Sequence, residues 1–384
     1  MAINTNSINQ PFSLGRTTND PFSLTDPYRN SPETLQLLLS YAATTPEGRQ
    51  TRAFFRPVRA NSIDPDFTPA YVQQWNLSVQ QQLPREFVFT IAYVGSKGTK
   101  LFVGQEINPA VFIPGQSTAG NIDARRIYKD FQTIQNTQAT ANSTYHSLQL
   151  SWNKRVASGF SLLGSYVFSK SLDLASNDGN SGVGNGASNP FNFSRDKGPS
   201  DFDVPHRFVT SFIWELPFFN GGGGARRALL GGWQLNGIVT LQTGTPFSVG
   251  AGQNRSLAGG TGDRADLIGV ARSFNDKPRS QKIEEFFDTS VFALPALGTF
   301  GTSGRNILYG PGLANTDIAA QKLFRVTESK ALEFRWEVFN LFNRPNFTNP
   351  NTAFCLRTSA ACNFGRILSA RDPRIMQAGL KLRF

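Results

Sequence analysis

Tyr145–Lys170 reads YHSLQLSWNKRVASGFSLLGSYVFSK. Taken at every second position, the stretch divides into two faces. His146, Leu148, Leu150 and Trp152 fall together, opposed by Ser147, Gln149, Ser151 and Asn153. After the turn Val156–Gly159, Phe160, Leu162, Tyr166 and Phe168 oppose Ser161, Ser165 and Ser169. Successive side chains leave a strand on opposite sides, so period-two alternation marks a strand with one apolar face. Two such strands across a tight turn read as an antiparallel hairpin.

The same alternation recurs along the chain. Tyr71, Trp75, Leu77, Val79 and Leu83 share a face, and after the turn Pro84–Glu86 so do Phe87, Phe89, Ile91 and Tyr93. Phe208, Phe212, Trp214 and Leu216 align, then Trp233, Leu235, Val239 and Leu241. Ile318, Ala320 and Phe324 repeat the pattern more weakly; Leu332, Phe334, Trp336 and Val338 follow across Thr327–Lys330. The chain closes on Arg374–Phe384, RIMQAGLKLRF, where Met376, Ala378, Leu380, Leu382 and Phe384 share one face. This makes about nine strands.

Composition narrows the class. The 384 residues include 33 Phe and 35 Gly but only 2 Met, and charged residues make up 17%, below the usual ~25%. No apolar run approaches the roughly 18 residues a membrane-spanning helix needs. Few charges with many Phe and Gly suit a β-rich protein with long loops. The decisive feature is the polar face, which is largely Gln, Ser, Asn and Thr rather than Lys and Glu. An apolar, aromatic-rich outer face over a neutral polar inner one is the pattern of an outer-membrane barrel, whose strands cross in about 9–11 residues. Connections alternate in length: Pro84–Glu86, Val156–Gly159, Pro217–Gly232 and Thr327–Lys330 are short or modest. Gly95–Thr144, Leu172–Pro205, Pro246–Gly312 and Asn343–Pro373 are long. That alternation fits periplasmic turns and extracellular loops, and places Phe384 at the periplasmic rim. The expected fold is therefore all-β, a portion of a transmembrane antiparallel barrel. Trp75, Leu77, Phe87, Phe89, Ile91 and Tyr93 are expected to face lipid. So are Leu148, Leu150, Trp152, Tyr166, Phe168, Phe212, Trp214, Phe334, Trp336, Leu380 and Leu382.

The ordered motifs QQWNLSVQQQLPREFVFTIAYVGSKGTKL, SDFDVPHRFVTSFIWELPF, GGWQLNGIVTLQTGTPFSV, GRNILYGPGLANTDIA and EFRWEVFNLFNRPNFTNPN, with the hairpin above, resemble the C-terminal barrel of Oar-like TonB-dependent receptors. The resemblance covers about Asp64 to Phe384. It implies a 22-stranded outer-membrane barrel, plugged by an N-terminal domain, energised through TonB and passing a large or scarce substrate. It also implies that the terminal strand, ending in Phe384, is read by the barrel-assembly machinery. No signal peptide, plug or TonB box is recognisable here, and nine strands cannot close such a circumference, so the chain reads as the C-terminal part of a longer receptor. Residues 1–63 are expected to be a poorly defined segment, with a short helix starting at Ser31, Pro32 and Glu33. Residues 64–384 are expected to be the barrel portion.

Asp201, Asp203 and His206 in SDFDVPHR could bind a metal or act as acid and base, but Asp commonly makes turns where a loop enters a strand, and that is the better reading. GGTGDRAD and GSKGTK lack the full phosphate-loop pattern and read as loop turns; NDGNSGVGNGASNP reads as a flexible loop tip. Cys355 and Cys362 stand without further Cys or His neighbours, so a loop disulfide is the better reading than a zinc site. The net charge of +11 is scattered through loops and strand ends rather than clustered among aromatics. That favours lipopolysaccharide phosphates or lumenal charge over nucleic acid. The function expected is an outer-membrane receptor or transporter, with no enzyme activity and no cofactor. Its partners would be outer-membrane lipid and lipopolysaccharide, the assembly machinery, TonB through the N-terminal part, and an unknown substrate. A soluble β-rich cell-surface or glycan-binding protein and a β-fold hydrolase are the alternatives.

Overall fold

The computed structural model describes residues 12–13, 58–157, 159–176, 188–219, 221, 224–260, 262–274, 276–325, 327, 329–356 and 361–384. The helix expected from Ser31 and most of the 177–190 stretch lie outside the described residues.

Nine long strands carry the fold: β3 (Tyr71–Leu83), β4 (Phe87–Glu106), β5 (Phe131–Ala157), β6 (Phe160–Asp173), β8 (His206–Glu215), β9 (Trp233–Gln242), β14 (Leu313–Arg325), β15 (Ala331–Phe339) and β16 (Ile375–Arg383). Each pairs antiparallel with the next in this order, so one curved sheet runs from β3 to β16 in sequence order. The short strands are β1 (Phe12–Ser13), β2 (Val58–Ile63), β7 (Gly198–Pro199), β10 (Pro246–Phe247), β11 (Asp266–Leu267), β12 (Phe292–Ala293) and β13 (Leu308–Tyr309). Among the described residues, β3 and β16 each have one paired edge and one free edge, and both are exposed along their whole length.

Several expected boundaries differ. Gly95–Thr144 is not one long loop: β4 continues to Glu106 and β5 begins at Phe131, leaving a connection of 107–130. The extension lies where Gln, Thr and Asn dominate, so it carries no apolar period, yet its backbone pairs through Glu106↔Gln135 with bulges near Gly98 and Val103. GSKGTK (95–100) accordingly lies inside β4 rather than in a loop turn. Residues 58–63, expected to be irregular, form β2, which joins β5 in the parallel sense as Ile63↔Thr137. The modest connection after β8 contains a short helix, Ala225–Leu230.

The buried core is not in the sheet. It lies in the long connections after β9 and β15, where Phe247, Val249, Ala265, Phe286, Phe287, Phe292, Leu308, Phe364 and Ile367 pack into one cluster. Edge-to-face contacts of the Phe287 ring with Phe292 and Phe364, centroids 5.7 and 5.3 Å away, fix its centre. The β10–β13 and β11–β12 pairs brace it. The loops thus form a folded cap over one end of the sheet.

Candidate functional site: the outward face and the loop cap

Strand register decides which side chains share a face. Leu77 stands opposite Tyr93 and Leu83 opposite Phe87; Phe89, Ile91 and Tyr93 stand opposite Trp152, Leu150 and Leu148. Those three in turn meet Gly164, Tyr166 and Phe168. One row runs unbroken from Phe160 through Trp214, Leu235, Ala320 and Trp336 to Ala378. Phe212 faces Leu162, and Phe334 and Leu332 face Leu380 and Leu382. Every strand residue expected to face lipid therefore lies on one continuous side of the sheet. So do all five tryptophans, since Trp75 pairs with Gly95 and Trp233 with Lys322. Among the described residues nothing covers most of this side: Leu77 is 72% exposed, Phe168 50% and Leu380 66%. An apolar face spanning nine strands far exceeds the patch a soluble monomer leaves in water.

Two local devices on this face escaped the alternation rule. Trp75 lies over Gly95, Trp152 over Gly164 and Phe212 over Gly237, each a cross-strand pair. A Cβ at Gly95 or Gly164 would come within 2.2 or 2.4 Å of the indole, so these rings lie flat only because the partner has no side chain. The outward side also carries Lys154 and Lys322, both at the short-turn end. The Lys154 ammonium donates to the Phe160 carbonyl at 3.3 Å and sits 5.2 Å from that ring. Lys322 donates to the Gly231 carbonyl and lies 4.9 Å from the Phe324 ring. Both bend their charge toward the rim, as a lysine anchored in apolar surroundings does.

The opposite face is polar and mostly neutral. Ser151 pairs with Ser165 and Thr90, Gln149 with Ala92, and Gln321 hydrogen-bonds Gln234. Charge appears toward β16, where Arg383 bridges Glu333. Leu163, Ile213 and Ile238 interrupt it as exposed apolar residues that the period-two reading does not explain.

The cap is fastened to the strand ends by buried ions. Arg305 reaches Asp173 at 2.5 Å, Asp201 at 3.0 Å and the Ser176 hydroxyl at 2.5 Å. Asp203, fully buried, accepts from the Ser171 amide (2.7 Å), the Tyr309 hydroxyl (2.5 Å) and the Lys170 ammonium (2.9 Å). Burial, joined by the nearby Arg195 and Arg305 charges, pulls the Arg264 guanidinium down to about 10, and it pairs with Asp196. Arg126 ties the 107–130 connection through Asp123 (2.8 Å) and the Asn108 carbonyl (2.6 Å).

This explains SDFDVPHR. Asp201 is taken by Arg305 and by Asn306 (2.6 Å), Asp203 by the partners above, and His206 Nδ1 by the Tyr166 hydroxyl at 2.8 Å. The three groups do not converge on a common point. Among the described residues no cluster of His, Cys, Asp and Glu could hold a metal ion. His146, the only other histidine, repeats the arrangement with the Tyr93 hydroxyl at 2.7 Å. In GGTGDRAD, Asp263 accepts the Arg255 and Ser256 amides at 2.5 and 2.6 Å, a turn rather than a phosphate cradle. Cys355 and Cys362 form a disulfide, Cα atoms 5.6 Å apart, packed against the cap core.

The solved structures of the outer membrane transporter YddB from Escherichia coli, the ferric preacinetobactin receptor BauA from Acinetobacter baumannii and the FrpB iron transporter from Neisseria meningitidis share the arrangement loosely. Their TM-scores are 0.46, 0.40 and 0.41 at 10%, 12% and 9% identity. They cover 86%, 83% and 84% of this chain, which spans 34%, 30% and 33% of theirs, about a third of each. No curated protein matches the sequence. The family model described as outer membrane beta barrel domain matches residues 1–377. An all-β sheet with an uncovered apolar side, and no described helix long and apolar enough to cross a membrane, is what that match requires: the chain belongs to the outer membrane beta barrel domain family.

Proposed function

We propose that this chain is the C-terminal part of the barrel of an Oar-like TonB-dependent receptor, which passes a large or scarce substrate across the outer membrane. The observation that carries the reading is the pairing of nine consecutive strands with an unbroken apolar side and a neutral polar one. In hydrocarbon every backbone polar group needs a partner, so a spanning sheet must close. The free edges of β3 and β16 are then the seams where the remaining strands of the receptor join. Trp75, Ile91, Leu150, Phe212, Phe334 and the other outward residues meet lipid, the Gln- and Ser-rich side lines the lumen, and the cap faces the medium. Residues 64–384 form the barrel portion, and Phe384 marks the strand taken up by the assembly machinery. TonB dependence rests on the sequence resemblance.

Membrane fractions of cells expressing the complete receptor test the proposal. The expected result is outer-membrane protein that resists carbonate extraction and co-purifies with TonB. Recovery in the soluble fraction rejects the barrel; outer-membrane protein without TonB association rejects the energised receptor.

A further inference from the structure

The span itself does not account for a hollow on the outward side. Remote from the short turns, one cross-strand row runs Tyr166, Phe208, Leu241, Ala314 over β6, β8, β9 and β14. Three large side chains followed by a methyl leave a step, and this row floors a groove of about 650 Å³ under the cap. His206, Tyr309 and Arg344 are among its walls, and no carboxylate lines it. Arg344 is exposed and, among the described residues, has no ion-pair partner. His206 gives Nδ1 to Tyr166. Asp203, which accepts from the Tyr309 hydroxyl of that wall, is already saturated by Lys170, Tyr309 and the Ser171 amide. The groove is thus apolar below, where it continues the outward face, and cationic above, where strands give way to loops.

We propose that this groove seats the phosphate-bearing headgroup of an outer-leaflet lipid, with an acyl chain along Tyr166, Phe208 and Leu241 and a phosphate at Arg344 beside His206. The inference rests on the reading that this side of the sheet meets lipid. A guanidinium offers a planar fork that matches phosphate oxygens, and its strength grows where apolar walls exclude water. A free anion would make no use of the aromatic row; a lipid uses both halves.

The complete receptor in neutral detergent micelles, probed by native mass spectrometry, tests this. The probes are bisphosphorylated lipid A, lipid A of the same acyl chains without phosphate, and inorganic phosphate as competitor. Phosphorylated lipid A should bind at least about 10-fold tighter than the phosphate-free form, as one charge-assisted bidentate contact gives. Arg344→Gln should remove most of that margin, Arg344→Lys should restore part of it, and Ala314→Leu, which fills the step, should weaken both lipids. Arg85→Gln, at the short-turn end, should change nothing. Equal binding of the two lipids, or an Arg344→Gln protein that keeps the margin, overturns the headgroup seat while leaving the lipid-facing side intact. Displacement by millimolar inorganic phosphate overturns it in favour of a free-anion site. If neither lipid associates, the lipid-facing reading falls as well.

Discussion

Placing an arginine at Leu150 probes the assignment of faces most sharply. Leu150 lies on an interior strand, flanked by Ile91 and Tyr166, so it sits on neither free edge. Along the apolar stretch of β5 the outward residues run from Lys154 at the short-turn end to His146, where the apolar period stops, and Leu150 is midway. Four residues at about 3.3 Å each, tilted by about 40°, put it roughly 10 Å from either level. An arginine there must hold its charge near the middle of the hydrocarbon, which costs about 2–4 kcal/mol. Gln149→Arg, one position along, points to the polar side between Ala92 and Val167 and should cost less than about 1 kcal/mol. Guanidinium titration of the complete receptor folded into phospholipid bilayers, followed by tryptophan fluorescence, measures both. At 1.4 kcal/mol per decade the two variants should differ by about 5-fold or more in folding equilibrium. Equal losses, or a larger loss at Gln149, would refute the assigned faces.

Other consequences concern the cap and the terminal strand. Reducing the Cys355–Cys362 bridge opens a loop of sequence separation 7 and should weaken the cap locally by about 2–3 kcal/mol; thiol labelling before and after reductant, with hydrogen exchange around Phe364, would show it. Arg305→Ala strands the buried Asp173 carboxylate and should cost the cap about 3–5 kcal/mol, read as faster proteolysis of the 246–312 segment while the strands stay protected. The Ser290 hydroxyl and amide, with Arg272, hold the Asp288 carboxyl below its ordinary 3.8 despite partial burial. A lowered acid stabilises above its unfolded value and loses that contribution as pH falls through the folded one. Exchange at Thr289–Val291 should therefore rise only below about pH 4, and a rise between pH 5 and 7 would contradict the sign. Deleting Phe384, which is 93% exposed, should lower outer-membrane levels of the complete receptor far more than deleting Gly120 in the 107–130 connection.

The spanning strands were legible because their signal is local. Leu148, Leu150 and Trp152 repeat every second residue, and strand register then only had to bring such runs side by side. The strand extensions were not, because Gln135, Asn136 and Thr137 pair through backbone amides and leave no apolar period. The cap core was invisible for a different reason: Phe247, Phe287 and Phe364 meet across more than a hundred residues of connection without any periodicity. Asp201, Asp203 and His206 looked like a site because they are close in sequence, while their partners Arg305, Tyr309 and Tyr166 are remote. The Arg344 groove, too, exists only after the sheet has aligned Tyr166, Phe208, Leu241 and Ala314.

All five tryptophans, at 75, 152, 214, 233 and 336, lie on the outward side, so their fluorescence reports what that side touches. The direct measurement is quenching of the complete receptor in bilayers, with any tryptophan outside this chain replaced by phenylalanine, by brominated phospholipids against quenching by aqueous iodide. The account predicts strong quenching by brominated lipid, strongest for the emission of central Trp152, and little by iodide. Emission that iodide quenches and brominated lipid leaves unchanged would place the apolar face in water or against protein, and contradict the claim that it meets the membrane.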